Sequence, residues 1–190
     1  MDLRTDILGL AQGETGWAIA TGFTSAEAVL DLDGLDAGVL TQRLPQTRWA
    51  VAACARDPED GLLEVAGRCE EQDVPLIVVV LGPYDLRIGP AYGRPPLACY
   101  PCRVERRLGA RDRVAQQLAT HYGQHPERAP IGGLGHHVEF AVCAVTAELE
   151  SLSDAAGSPA AERVLDLSRN TLSTLPADPA ACRRHRSSLH

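Results

Sequence analysis

Two pairs of metal-binding side chains stand out in the sequence, one near the middle of the chain and one near its end. The first is a Cys-x-x-Cys pair, Cys99 and Cys102, and the second is a Cys-x-x-His pair, Cys182 and His185. A tight turn brings two ligands with this spacing to the same point, so each pair can bind one side of a metal ion. Three thiolates and one imidazole complete a closed tetrahedral zinc site, which is the structural rather than the catalytic type. The sequence therefore predicts a structural zinc ion held by these four residues.

Two alternatives to this zinc site remain open. Cys99 and Cys102 also fit a redox pair, because a thiolate at the start of a helix has a lowered pKa and is nucleophilic. His185 lies in the sequence Arg-Arg-His-Arg, which also fits a solvated basic tail. The adjacent His136 and His137 make a poor metal pair, since neighbouring side chains on a helix point about 100° apart.

The other three cysteines lie in apolar stretches whose spacing is typical of buried helices and strands. They are predicted to be buried thiols rather than ligands: Cys54, Cys69 and Cys143. Buried thiols beside a thiolate metal site fit a reducing compartment. The chain opens without a signal-peptide pattern, and no run approaches the roughly 20 apolar residues of a membrane span. We therefore expect a cytoplasmic protein.

The length and charge of the chain limit its classes of partner. Its 190 residues fit one domain, or one domain plus an arm, at about 100–200 residues per domain. The net charge of −7 argues against nonspecific binding to nucleic acid or to an anionic membrane. Basic runs at 103–113 and 183–186 lack interleaved aromatic residues, which favours solvated faces over nucleic-acid sites.

The candidate ligands need a fold to position them, and its clearest sign is a strand-helix-strand pattern over residues 48–81. Residues 48–54 and 74–81 are short apolar runs that predict strands buried on both faces. Between them, Asp57 and Pro58 predict a helix start, and the helix is expected to run to about Gln72. A unit of this kind joins two parallel strands.

The pattern after residue 81 predicts further helices and strands. They are a strand over 84–90, helices over 103–122 and 136–151, and a hairpin of strands 163–167 and 171–175 that turns at Arg169-Asn170. The overall prediction is an α/β fold, a truncated Rossmann-like, three-layer, partly parallel sheet with a structural zinc site.

The first 45 residues carry the least regular pattern. Residues 17–20 favour a short strand, and residues 25–30 favour a helix start capped by Thr24. The glycines are spaced G-x-x-x-G-x-x-G, not as the G-x-G-x-x-G that binds a nucleotide phosphate, and are predicted to be loop and turn glycines: Gly9, Gly13 and Gly16. We predict an N-terminal arm or partial αβ segment over 1–45 and the main domain over 46–190.

From residue 49 onward the order of features resembles the second half of the ThiF/MoeB-like, ubiquitin-activating superfamily of adenylating folds. The resemblance is carried by Val51-Ala52-Ala53-Cys54-Ala55-Arg56-Asp57, by residues 73–77, by the short strand to Gly89, and by Ala98-Cys99-Tyr100-Pro101-Cys102. In that family a strand ends in an aspartate, a helix and a buried strand follow, and a Cys-x-x-Cys begins the zinc site. The resemblance implies a ThiF-like domain with a zinc-binding C-terminus.

The end of the chain resembles one branch of that superfamily more narrowly. Residues 164–167, the threonine-leucine strand and the stretch from Asp178 to His185 are similar to the end of the cyclodehydratase partner proteins of thiazole/oxazole-modified microcin biosynthesis. Members close on a Pro-x-Cys-Pro-x-Cys type of ending, and here His185 stands in the final position. Members also carry an N-terminal winged-helix element that recognises the leader peptide, and 45 residues are too few for a complete one. We therefore expect a chain shortened at that end.

This branch resemblance implies a scaffold. Such a protein docks a YcaO-type cyclodehydratase and helps to present the Cys, Ser or Thr residues of a precursor peptide for azoline formation. The implied partners are that enzyme and the precursor peptide, and a second copy of the chain in a homodimer is a further interpretation.

Departures from the adenylating members favour a noncatalytic role. Those members need a glycine-rich phosphate loop, a basic residue near the phosphates and a magnesium-binding aspartate. Asp57 lies where that aspartate would be, but Pro58 follows it and no phosphate loop is recognised, so Asp57 is predicted to cap a helix. We predict no catalytic and no cofactor-binding residues apart from the zinc ligands. The alternative is a minimal ATP-dependent adenylating or sulfur-transfer enzyme.

Overall fold

The structure is a computed structural model, and it describes residues 6–55, 59–82, 85–94, 96–110, 135–153, 161–167 and 169–176. Its strands are β1 (Ile7–Gln12), β2 (Val29–Asp31), β3 (Trp49–Cys54), β4 (Leu76–Leu81), β5 (Asp85–Tyr92), β6 (Ala161–Asp166) and β7 (Thr171–Pro176). Its helices are α1 (Gly13–Phe23), α2 (Ala37–Arg43), α3 (Glu59–Glu71), α4 (Tyr100–Ala110) and α5 (Gly135–Ser153).

All seven strands belong to one mixed sheet with the order β2-β1-β3-β4-β5-β6-β7. Strands β2, β1, β3 and β4 run parallel to one another, and the pairs from β4 to β7 are antiparallel. The predicted strand-helix-strand unit is confirmed, because β3 pairs in parallel with β4 and α3 lies between them in the chain. The partly parallel α/β sheet predicted from the sequence is therefore present.

Helices cover both faces of this sheet and give the molecule three layers. On one face, Ile19 of α1 and Val145 of α5 share a buried cluster with Val51 and Ile77 of the sheet. On the other face, helices α2, α3 and α4 pack on side chains of the opposite parity. Their cluster includes Leu40, Leu62 and Val104, together with Leu10 and Leu76. Strands buried on both faces read as continuous apolar runs, as in β3 and β4.

The N-terminal segment differs from its prediction in two places. Residues 17–20, predicted as a strand, lie in α1, and its buried residues Gly16, Ile19, Ala20 and Phe23 follow the i, i+3, i+4, i+7 spacing of a helix. The helix predicted over 25–30 is a short 3₁₀ turn, Ala26–Ala28, followed by β2. Thr24 is the C-cap of α1 and not the N-cap of a following helix, and its hydroxyl donates to the carbonyl of Ile7 at 3.0 Å.

Strands β1 and β2 from this segment join the same sheet as β3 and β4. The segment predicted as an arm or partial αβ segment thus contributes two strands and two helices. A domain boundary after residue 45 stays a prediction.

In the C-terminal half, the helix predicted over 103–122 begins earlier, at Tyr100, and its residues 111–122 lie outside the described residues. The hairpin of β6 and β7 is present, with Asn170 in the left-handed conformation at φ 51° and the backbone amide of Arg169 donating to Asp166 at 3.0 Å. The prediction that Cys143 is buried is wrong, because the buried stripe of α5 is Ala141, Ala144, Val145, Glu148 and Leu149 and leaves Cys143 exposed. Cys54 and Cys69 are buried as predicted.

Two ion pairs attach helices to β6 from opposite sides of the sheet. Glu162 and Arg163 are neighbours in β6, so their side chains point to opposite faces. Glu162 is buried and pairs with Arg103 of α4, while Arg163 pairs with the buried Glu148 of α5 at 2.9 Å. Strand β6 is therefore tied to the helices on both of its faces.

Candidate functional site

The predicted Cys-x-x-Cys pair lies at the start of α4. Cys99 directly precedes the first helical residue and is 7% exposed, and Cys102 lies in the first turn and is half-buried. The backbone amide of Arg103 donates to the carbonyl of Cys99 at 3.1 Å. Both sulfurs therefore belong to one turn of backbone.

The segment that leads into α4 is fixed to the sheet. The amide of Gly93 donates to the carbonyl of Ala98 at 2.9 Å, and the amide of Ala98 donates to the carbonyl of Ala91 at 3.2 Å. The ring of Tyr100 contacts Tyr92 edge to face, with 4.9 Å between ring centroids. The sheet thus determines where the two cysteines sit.

The C-terminal hairpin approaches the same helix. Arg103, the residue after Cys102, forms the ion pair with Glu162 of β6. The strand after β6 is β7, which ends at Pro176, six residues before Cys182 in the chain. The described part of the chain thus brings the hairpin that precedes Cys182 to the helix that carries Cys102.

Two of the four predicted zinc ligands, Cys99 and Cys102, belong to the described residues. Cys182 and His185 lie outside the described residues. Within the described residues, no group of three or more His, Cys, Asp or Glu side chains could hold a metal ion. Cys99 and Cys102 form no disulfide with another described cysteine, and two thiols in one helical turn fit half of a tetrahedral thiolate site.

The remaining thiols and the histidine pair have different surroundings. Burial raises the pKa of Cys69 to about 12, which keeps this thiol protonated and unreactive at neutral pH. The rings of His136 and His137 contact each other at the start of α5, with 4.1 Å between centroids. Desolvation and the neighbouring charge of His136 lower the pKa of His137.

A second feature, which the sequence analysis did not identify, is the turn from β1 into α1. Strand β1 pairs with β2 on one side and with β3 on the other, so the sheet grows in opposite directions from β1. At such a point the carboxyl ends of parallel strands form a crevice in which α/β proteins bind ligands. Gly13 opens α1 with φ +67°, a conformation that favours glycine. A Cβ on Gly16 would lie 2.4 Å from the carbonyl oxygen of Ala53, so this glycine permits close helix-to-strand packing.

The interpretation of these residues as loop and turn glycines is therefore wrong for Gly9, which lies in β1, and for Gly16, which lies in α1. A signal was present in the sequence, because Ala11-x-Gly13-x-x-Gly16 follows the glycine fingerprint of nucleotide-binding folds at its second and third positions. The pattern was missed because the spacing was counted from Gly9 and not from Ala11.

The side chain of Gln12 lies at this turn and is 9% exposed. Its amide nitrogen donates to the carboxylate of Asp33 at 2.8 Å, and the amide of Asp33 in turn donates to Asp31 at 3.1 Å. The Gln12 amide oxygen has no hydrogen-bond partner among the described residues. Asp57, which the sequence predicted to cap a helix, lies outside the described residues.

Several solved structures match this fold. The E. coli microcin synthetase McbBCD complex contains a chain that matches 96% of this chain, with a TM-score of 0.64 and 16% identity, over 69% of its own length. A heterocyclase in complex with substrate and cofactor matches 92% of this chain with a TM-score of 0.61 and 14% identity. The heterocyclase TruD matches 92% with a TM-score of 0.57 and 15% identity. The chain shares its fold with these proteins.

The resemblance stated from the sequence is confirmed at the level of this synthetase-like fold. The chain spans only 26% of the length of TruD and 24% of the length of the substrate-bound heterocyclase. No protein-family model matches the sequence, and no curated protein matches it either. None of the helices in the described ranges is long and apolar enough to cross a membrane.

Proposed function

We propose that this chain is a noncatalytic partner protein in the biosynthesis of ribosomal-peptide natural products. It docks a YcaO-type cyclodehydratase and helps to present the precursor peptide for azoline formation, while the ATP chemistry belongs to the enzyme. The observation that carries this proposal is the match over 96% of the chain to the microcin synthetase complex. Further support comes from the heterocyclase in complex with substrate and cofactor. The structure of E. coli MccB with MccA also matches 78% of this chain, with 12% identity and a TM-score of 0.52, over 42% of the length of MccB.

The crevice at the ends of β1 and β3 supports a noncatalytic role. In a nucleotide site of this type, a carboxylate after the second strand binds the ribose hydroxyls. Here Asp33 already accepts a hydrogen bond from Gln12, whose buried side chain lies at the start of α1. A ribose that approached Asp33 would meet the Gln12 side chain, which already donates to one of the two carboxylate oxygens.

We also propose that a structural zinc ion is held by Cys99, Cys102, Cys182 and His185. When bound, zinc supplies cross-linking of distant parts of the chain and no reaction chemistry. Cys99 and Cys102 offer two thiolates from one fixed turn, and the ion pair between Arg103 and Glu162 holds the C-terminal hairpin beside that turn. The ion then ties the start of α4 to the segment after β7.

Two assays on the purified chain test the proposed function. Immobilised chain is expected to retain a YcaO-type cyclodehydratase, and a mixture of the two is expected to form azolines on a precursor peptide faster than the enzyme alone. ATP-dependent pyrophosphate exchange by the chain alone is expected to be absent. A chain that neither binds the enzyme nor raises its rate would contradict the scaffold role.

A minimal ATP-dependent adenylating enzyme of the same superfamily is the second candidate. The observation that favours it is the turn at Gly13 and Gly16, which has the positive φ and the close helix packing of a phosphate-binding turn. Pyrophosphate exchange by the isolated chain, lost on Asp33→Ala, would favour this enzyme over the scaffold.

A further inference from the structure

The end of the β6–β7 hairpin from which the chain continues to Cys182 lies beyond the pairing of β6 with β5. That pairing ends at Arg163, which lies opposite Ile88. The next residue pair, Glu162 with Leu175, is joined within the hairpin alone in the described part of the chain. Backbone hydrogen bonds to the rest of the sheet therefore stop before the point where the chain leaves β7.

An ion pair attaches this end of the hairpin to α4. Glu162 is buried and pairs with Arg103, the residue that follows Cys102. Leu175 lies directly opposite Glu162, so the two side chains share the face of the sheet on which α4 packs. Strand β7 ends one residue later, at Pro176. One side-chain contact thus holds the point from which the last segment departs beside the start of α4.

We propose that Arg103 and Glu162 position the C-terminal zinc ligands, so that their ion pair raises the affinity of the chain for zinc. This inference rests on the zinc site proposed above. Cys182 comes six residues after Pro176, and six residues span at most about 20 Å. A shift of the end of β7 away from α4 therefore uses up part of that reach. Partners that orient metal ligands from outside the ligand set typically change the affinity for the metal by about 10–100-fold.

The contact on the opposite face of β6 has no such link to the zinc ligands. Arg163 pairs with Glu148 of α5 at 2.9 Å and also donates to the carbonyl of Ala144 at 3.3 Å. Its place in the sheet is fixed in addition by its backbone pairing with Ile88. Helix α5 carries none of the four proposed ligands. Loss of the carboxylate on this face should therefore weaken the fold without moving the end of β7 away from α4.

Zinc affinities of three purified chains test the inference, measured by competition with a chromophoric chelator. Glu162→Gln is expected to raise the zinc dissociation constant about tenfold over that of the wild-type chain. Glu148→Gln is the matched control, because it removes the other buried carboxylate that pairs with β6. It is expected to change the zinc dissociation constant by less than about threefold, as for an independent site. Urea denaturation of the same chains without zinc separates an effect on folding from an effect on the metal.

Hydrogen exchange on the wild-type chain gives a readout that needs no variant, in case Glu162→Gln does not fold. Because coupling between two contacts is reciprocal, bound zinc should strengthen the ion pair. The backbone amides of residues 161–163 and 173–175 are therefore expected to exchange more slowly with zinc than without it. This slowing is expected to exceed that of residues 141–149 in α5.

The outcomes separate a failure of the positioning role from a failure of the zinc site. A wild-type chain that binds one zinc ion, with equal zinc affinities for Glu162→Gln and Glu148→Gln, would overturn the positioning role and leave the zinc site standing. Zinc that slows exchange in α5 as much as at the hairpin end would overturn it in the same way. A wild-type chain that binds no zinc would overturn both the site and this inference.

Discussion

Strands β1, β3 and β4 are buried along their whole length, whereas β7, at the end of the same sheet, is exposed at every position. The parallel half of the sheet, which is β2, β1, β3 and β4, is held by apolar layers on both faces and by close packing at Gly16. The antiparallel half, which is β5, β6 and β7, is tied to α4 and α5 by the ion pairs of Glu162 and Arg163. The cysteine turn, which contains Cys99 and Cys102, lies at the start of α4. The parallel half is thus the more deeply buried part of the sheet, and the antiparallel half carries the exposed strand β7 and lies beside two of the proposed zinc ligands.

The largest effect is expected from the cysteine turn. Cys99→Ser removes one proposed zinc ligand, so metal content should fall from one equivalent to near zero. The melting temperature should drop on the order of 10 °C, since each kcal/mol lowers it by about 2–4 °C in a chain of this size. Mass spectrometry of bound metal and a thermal melt measure both quantities.

Cys143→Ser is the matched control for this variant, because Cys143 is exposed on α5. It is expected to keep its metal and its melting temperature. Equal melting temperatures for Cys99→Ser and Cys143→Ser, with no metal in either protein, would contradict the proposed zinc site.

The next largest effect is expected in the parallel half. Gly16→Ala places a methyl group 2.4 Å from the backbone oxygen of Ala53, so α1 has to move away from β3. We expect a loss of about 1–3 kcal/mol in the free energy of unfolding, measured by urea denaturation.

Gly61→Ala in α3 is the control for Gly16→Ala, since no heavy atom lies within 4 Å of its added Cβ. It should stabilise the protein by about 0.5–1 kcal/mol through its better helix propensity. If Gly16→Ala proved as stable as Gly61→Ala, the close approach of α1 to β3 would be wrong.

A smaller effect is expected from the ion pair between Glu162 of β6 and Arg103 of α4. Glu162→Gln leaves Arg103 without its buried carboxylate and should cost about 1–2 kcal/mol in unfolding free energy. Arg68→Gln removes an exposed pair with Glu71 and should change it by less than about 0.5 kcal/mol. Equal effects of the two variants in urea denaturation would show that the pair at β6 does not hold α4.

The sequence predicted elements in both halves and missed one helix of the parallel half. The unit β3-α3-β4 and the β6–β7 hairpin were predicted because continuous apolar runs and an Arg-Asn turn have few other interpretations. Helix α1 was missed because residues 17–20 form a short apolar run that fits a strand as well as a helix. Only the longer spacing from Gly16 to Phe23 separates the two interpretations.

The sequence also identified one of the two candidate sites and missed the other. The sequence predicted Cys99 and Cys102 in a tight turn before a helix that begins at 103, and the structure begins that helix at Tyr100, between the two cysteines. The contact of Gln12 with Asp33 joins residues 21 apart through the pairing of β1 with β2, and no local pattern records that pairing. The exposure of Cys143 was missed for the same kind of reason, because the packing of α5 on α1 decides which side of the helix is buried.

The most direct test of the account is titration of the purified chain with magnesium ATP by isothermal calorimetry. The proposed scaffold role predicts no binding tighter than about 1 mM, because it leaves the ATP chemistry to the partner enzyme. A dissociation constant in the micromolar range that is abolished by Asp33→Ala would contradict it, and would make the parallel half a working nucleotide site.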